Sequence, residues 1–382
     1  MKIVKMLIVV MCLFFPMQVK AANVEVADVN ATDVEEELSS RYDFTEIDKM
    51  LEEIFPEEKL NFKDTIVGLI SGDLEFSVDL FKQLIGDQLS YEIDSSKTGI
   101  IHILLLVIIA AIFANFSGVF KSTQVAEISF SMLYMLLITI CLNNFRILID
   151  AAAANVEQIM EFMKLLGPLY FMAVAIATGS ATSITFYQIV LLLIFLIELL
   201  IRNFLIPMTQ IYMVIRILDE FSPEIQLSKI AELMETIISW SLKTLSAGII
   251  GLNVVQGLLT PAIDSVKRSL VLKGGEALPI VGDAIGGAAE VVLGTAVLIK
   301  NGSGVAGMII CLVMCLVPII QIAITSLMYQ LIAALIQPVS DKRMVNCVSS
   351  VADGSKILLK IVFTTGVLFL ITIAMVATTT GG

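Results

Sequence analysis

The sequence predicts an all-α fold: a polytopic helical membrane protein of about 8 crossings, two of them short or re-entrant, behind a small N-terminal helical extracytoplasmic region. Three observations carry this. Of 382 residues, 57% are hydrophobic and 16% charged, whereas an ordinary soluble domain carries roughly 25% charged residues. The mean hydropathy is +0.93, so a soluble fold would have too little polar surface to cover itself. Apolar runs close to the roughly 20 residues of one helical crossing recur from residue 100 to the C-terminus.

The N-terminus comes first. Lys2 and Lys5 precede the apolar run Met6 to Phe15, Pro16 ends it, and Val19-Lys20-Ala21-Ala22 offers small residues for cleavage. Residues 1–22 therefore read as a signal peptide, too short to span a bilayer comfortably. Residues 23–99 hold 20 acidic and 6 basic side chains, a net of −14, while the membrane region 100–382 is close to neutral with 16 acidic and 15 basic. Nothing resembles a basic nucleic-acid footprint, and no nucleic-acid partner is expected.

Within 23–99, the first residues to 40 are polar and acidic, the composition of a linker. Phe44, Ile47, Met50, Leu51 and Ile54 then recur at helix spacing, Asp43 and Glu46 form a capping-box pattern, and Pro56 stops the helix. Phe62, Ile66, Leu69 and Ile70 continue the stripe, followed by Leu74 to Ile85. Such amphipathic helices pack on each other, on the membrane face or on a partner.

Six segments have the length and composition of crossings: 100–118, 128–148, 185–201, 237–259, 305–325 and 357–377. Two shorter ones, 165–178 and 284–299, follow Pro168 and Pro279 and end at Gly179-Ser180 and Gly302-Ser303, read as turns. Membrane lipid is thus the first partner. With a cleaved signal, eight crossings put Lys121, then Lys267, Arg268 and Lys273, then Lys342, Arg343, Lys356 and Lys360 in the cytoplasm, as the positive-inside rule requires. This order makes 203–218 a helix extension or interfacial segment. Stripes at Val156, Ile159, Met160 and Met163 and at Ile230, Leu233, Met234 and Ile237 mark helices that lie on the bilayer or cover other helices. The two short segments run in opposite directions, the layout of interrupted helices in transporters.

Chemistry is sparse. The single histidine, His102, has no Ser or Cys at a spacing that recommends a partner. Gly302-Ser303-Gly304 and Gly282-Asp283 are fragments of protease motifs better read as turns, and there is no phosphate-binding loop or His-Glu-x-x-His. Cys141, Cys311 and Cys315 lie in apolar stretches and Cys347 in a loop; no His completes a metal site around Cys311 and Cys315. No enzyme, cofactor or metal is expected. The polar candidates are intramembrane: Glu198 and Arg202 at i, i+4, an ion pair near the interface, and Glu290, set among Gly286, Gly287, Ala288 and Ala289. Glu290 reads equally as a carboxylate in a water-lined gap or as part of a surface amphipathic helix.

The runs Leu258-Leu259-Thr260-Pro261-Ala262-Ile263-Asp264-Ser265-Val266-Lys267-Arg268, Val292 to Asn301 and Ala333-Ala334-Leu335-Ile336-Gln337-Pro338-Val339-Ser340-Asp341 resemble the stage III sporulation protein AE family of endospore-forming bacteria. The resemblance makes Asp264, Lys267 and Arg268 the family-motif cytoplasmic loop. It implies a non-catalytic membrane component of a mother-cell-to-forespore channel or secretion-like apparatus, in the mother-cell membrane around the forespore. It also implies as partners the other products of the stage III sporulation A operon and, indirectly, stage II sporulation protein Q. A stand-alone secondary permease for a small solute is the alternative that the residues leave open.

Overall fold

The computed structural model describes residues 43–54, 61–71, 123–178, 180–221, 227–275 and 282–379, with a few single residues before 123. The described residues are helical, with no strand among them. In chain order they form α1 (Thr45–Ile54), α2 (Phe62–Ser71), α3 (Thr123–Thr178), α4 (Ser180–Ile197), a π-helical stretch (Glu198–Leu205), α5 (Ile206–Phe221), α6 (Ser228–Gly275), α7 (Gly282–Ile336) and α8 (Lys342–Thr379). The signal peptide, His102, Lys121 and most of the first expected crossing lie outside the described residues.

Among the described residues, four helical stretches are long and apolar enough to cross a membrane: Ile128–Ile176, Tyr187–Glu220, Thr295–Ile336 and Lys342–Ala374. The expected count of eight crossings is not confirmed. The segments 128–148 and 165–178 are two parts of α3, and 284–299 and 305–325 are two parts of α7. At 1.5 Å per residue, α3 is about 84 Å long, so it extends well past a hydrocarbon core of about 30 Å. Segment 203–218 is indeed an extension, because α5 follows α4 through the π-helical stretch.

Three expected interruptions are helical. Gly302-Ser303 continues α7 rather than turning. Gly302 serves close approach instead: a Cβ there would stand 3.0 Å from Ile66 and 3.1 Å from Ile70 of α2. The loop expected at Asp264, Lys267 and Arg268 is helical backbone of α6. Cys347, expected in a loop, is buried in α8. At Gly302 and Cys347 the helix continues because one side packs on a neighbour, a term that local sequence does not contain.

The last helix is the hub. α8 packs against α3, α5, α6 and α7, and its most apolar stretch is 67% buried, against 33% for those of α3 and α4–α5. α3 and α7 run antiparallel, with Asn144 against Tyr329, Asn155 against Met314 and Leu166 against Gly307. Small residues let the helices close: a Cβ on Gly307 would meet Leu166 at 2.7 Å, one on Gly354 would meet Phe145 at 2.7 Å, and one on Gly366 would meet Cys315 Sγ at 2.5 Å. Val156, Ile159, Met160 and Met163 are buried in this bundle, so that stripe covers other helices.

The N-terminal helices cap one end of the bundle. Asp43 accepts the Thr45 N–H at 3.0 Å at the start of α1, and Asn61 accepts the Asp64 N–H at 3.1 Å at the start of α2. Asp48 of α1 accepts the Phe62 N–H at 2.7 Å, tying the two helices together. Burial raises the Asp48 carboxyl above the usual range, and Asp64 and Glu52 add to this. Phe62 then packs edge-on against Phe162 of α3 at 6.4 Å. Ile47, Leu51, Phe62 and Ile66 are buried, within the same core as the long helices.

Candidate functional site

The site is built where the α4–α5 helix changes its winding. Pro207 has no N–H to give, and in an α-helix its ring clashes with the carbonyl four residues back. The chain widens just ahead of it: Ile206 N–H donates to the Ile201 carbonyl, five residues back. The Thr209 hydroxyl donates to the Leu205 carbonyl at 2.8 Å. π-helical turns of this kind mark functional positions more often than chance. This one carries both Glu198 and Arg202.

These two residues pair across to α3. Arg202 Nη2 lies 2.8 Å from Glu157 Oε1 and donates to Oε2 at 2.9 Å. Lys164 Nζ lies 4.0 Å from Glu198 Oε2. The expected pairing within one helix is therefore replaced by two bridges between helices. The second is looser for a geometric reason. Glu157 and Lys164 stand seven residues apart on α3, about 10.5 Å along its axis, whereas Glu198 and Arg202 are only four apart, at most about 6 Å. All four side chains are partly exposed, from 37% for Arg202 to 49% for Lys164, and Glu161 stands exposed beside them.

The opposite face of α3 at the same level is dry. Asn155 Nδ2 donates to the Met314 carbonyl of α7 at 2.9 Å. That carbonyl lies four residues before Pro318, which sits inside α7 without an N–H to offer it. Asn155 is 7% exposed, and its Oδ1 is buried without a hydrogen-bond partner. Further along the helices, Asn144 Nδ2 donates to the Tyr329 hydroxyl at 2.8 Å, Ser326 donates to the Ala352 carbonyl at 3.1 Å and Asn346 donates to Glu220 at 2.8 Å. Each bond ties two different helices.

Lys300, two residues before the α2 contact at Gly302, is buried at 1% exposure. Cys311 and Cys315 are buried in α7, and no cluster of metal-binding side chains occurs among the described residues. Glu290 lies on helical backbone of α7, and Asp264, Lys267 and Arg268 on that of α6; their side chains lie outside the described residues. Sequence reasoning singled out Glu198 and Arg202 but missed Glu157, Lys164, Asn155 and Lys300. Asn155 had a legible signal: it is a polar residue on the same stripe as Ala152, Val156 and Ile159. The others needed a neighbouring helix to acquire a meaning.

The family model for stage III sporulation protein AE matches residues 60–380, from α2 to the end of α8. The chain belongs to the stage III sporulation protein AE family. Stage III sporulation protein AE of Bacillus subtilis (strain 168) is 24% identical to it over 293 residues, covering 76% of this chain and 73% of that relative. No solved structure matches. Membership in the stage III sporulation protein AE family gives the chain a role in sporulation, and the four long apolar helices among its described residues give it membrane character.

Proposed function

We propose that this protein is a non-catalytic membrane component of the channel or secretion-like apparatus that joins mother cell and forespore during endospore formation. It would sit in the mother-cell membrane around the forespore with its N-terminal region outside the cytoplasm. Its partners would be the other products of the stage III sporulation A operon and, through them, stage II sporulation protein Q. One observation carries the non-catalytic reading. Four charged side chains and one amide N–H at the site reach a neighbouring helix: Glu157 to Arg202, Lys164 to Glu198, Asn155 Nδ2 to the Met314 carbonyl. Such bridges hold helices in register, and among the described residues of the site no nucleophile stands beside a base.

A stand-alone permease is the second reading, favoured by the π-helical stretch ahead of Pro207. Interrupted helices are where transporters bind solutes and ions. Affinity purification from sporulating cells separates the two. A channel component brings down its sibling membrane proteins and gives no solute flux when reconstituted alone. Flux by the purified chain, reduced by Arg202→Ala, would establish the permease instead.

A further inference from the structure

An open groove of about 590 Å³ runs between α6 and the junction of α4 with the π-helical stretch. Leu196 and Leu200 form one wall, and Trp240, Leu245, Ile249 and Leu252 the other, with Gly248 leaving the middle open. A Cβ on Gly248 would meet nothing within 4 Å. The groove extends along α6 from Thr236 to Leu252, about 24 Å at 1.5 Å per residue. One leaflet of a bilayer, headgroups included, is roughly 20–22 Å thick.

The order of side chains along α6 matches the path from water into hydrocarbon. Lys229, Glu232 and Glu235 occupy its first turns, with Lys229 and Glu232 paired at 2.8 Å. Trp240 follows, the only tryptophan of the chain and 70% exposed. Lys243 is exposed one turn further, three residues after Trp240 and so beside it at the edge of the groove. From Thr244 to Ile263 there is no ionisable side chain. Tryptophan favours the headgroup level, and a lysine just below it reaches back toward water, because helix side chains lean toward the N-terminus.

From this arrangement we infer that the groove holds an anionic phospholipid. One acyl chain lies along Leu245, Gly248, Ile249 and Leu252 against Leu196 and Leu200. The phosphate meets the Lys243 ammonium, and the Ser241 and Thr244 hydroxyls line the entrance. The positive charge selects an anionic headgroup, and the apolar walls select a chain over a soluble phosphate. The site does not depend on the apparatus role, only on the membrane setting of the bundle.

Trp240 is a built-in reporter. The full chain is reconstituted in phosphatidylcholine bilayers containing a minor fraction of phosphatidylglycerol brominated on its acyl chains, which quench tryptophan on contact. The expected result is quenching several-fold above that given by the same fraction of brominated phosphatidylcholine. Lys243→Gln brings the two lipids level. Gly248→Leu, which the open space accommodates, fills the groove and lowers quenching by both, with helix content unchanged by circular dichroism. Equal quenching by both lipids in the unaltered protein overturns the proposal. So does a Trp240 that neither lipid quenches, which would mean that a second copy or another membrane helix covers the groove.

Discussion

Asn155 of α3 supplies the hydrogen bond that Pro318 of α7 withholds. The Met314 carbonyl lies four residues before the proline, and the Asn155 amide reaches it at 2.9 Å from the neighbouring helix. A proline tolerated mid-helix and a polar residue tolerated in an apolar core thus explain each other.

A double-mutant cycle tests that relationship. Asn155→Leu leaves the Met314 carbonyl unsatisfied and should cost about 1–3 kcal/mol. Pro318→Ala gives α7 its own N–H, so in that background the same leucine should cost clearly less. Unfolding in detergent measures both, and strictly additive losses would separate the two residues.

The bridges at the π-helical stretch should rank by their geometry. Arg202→Ala breaks the 2.8 Å pair with Glu157, whereas Glu198→Ala removes only the 4.0 Å contact with Lys164. With partly exposed partners the first loss should be on the order of 1 kcal/mol or less and the second smaller. The swap Glu157→Arg with Arg202→Glu should recover part of the first. Melting temperatures check the ranking; no recovery in the swap would show that charge pairing is not what Arg202 contributes.

Gly366 faces Cys315 too closely for a methyl group. Gly366→Ala would place its Cβ 2.5 Å from the Sγ, and should destabilise the α7–α8 contact by about 1–3 kcal/mol. Adding Cys315→Ala removes the opposing sulfur, though not the Cβ at 3.0 Å, and should restore part of the loss. If the double variant is no better than the single one, the close approach is not the cause.

The N-terminal cap should loosen as pH rises. Burial holds the folded Asp48 carboxyl above its unfolded value, so the folded form binds the extra proton. Stability from this group is complete below the unfolded pKa and is lost as pH climbs through the raised folded one. Asp48→Asn keeps an acceptor for the Phe62 N–H and should flatten that dependence. Protease release of residues before 72, followed as pH rises from the ordinary carboxylate value of roughly 4, reads it directly. An unchanged pH profile in the asparagine variant would remove Asp48 from the account.

Composition and periodicity by themselves determined the class of this protein. A chain with 57% hydrophobic residues has no soluble option, and the spacing of Ile47, Leu51, Phe62 and Ile66 marked the faces that the N-terminal helices bury. Glu198 and Arg202 were legible as well, because a charge costs most in an apolar run and so stands out there. Only the tertiary structure decided where helices continue and with whom charges pair. Gly302-Ser303 looked like a turn because local propensity disfavours glycine in a helix; the close packing of Ile66 and Ile70 on Gly302 made it a contact surface instead. Arg202 found Glu157 rather than Glu198, since the distance between side chains on different helices is set by packing, which a one-dimensional pattern does not hold.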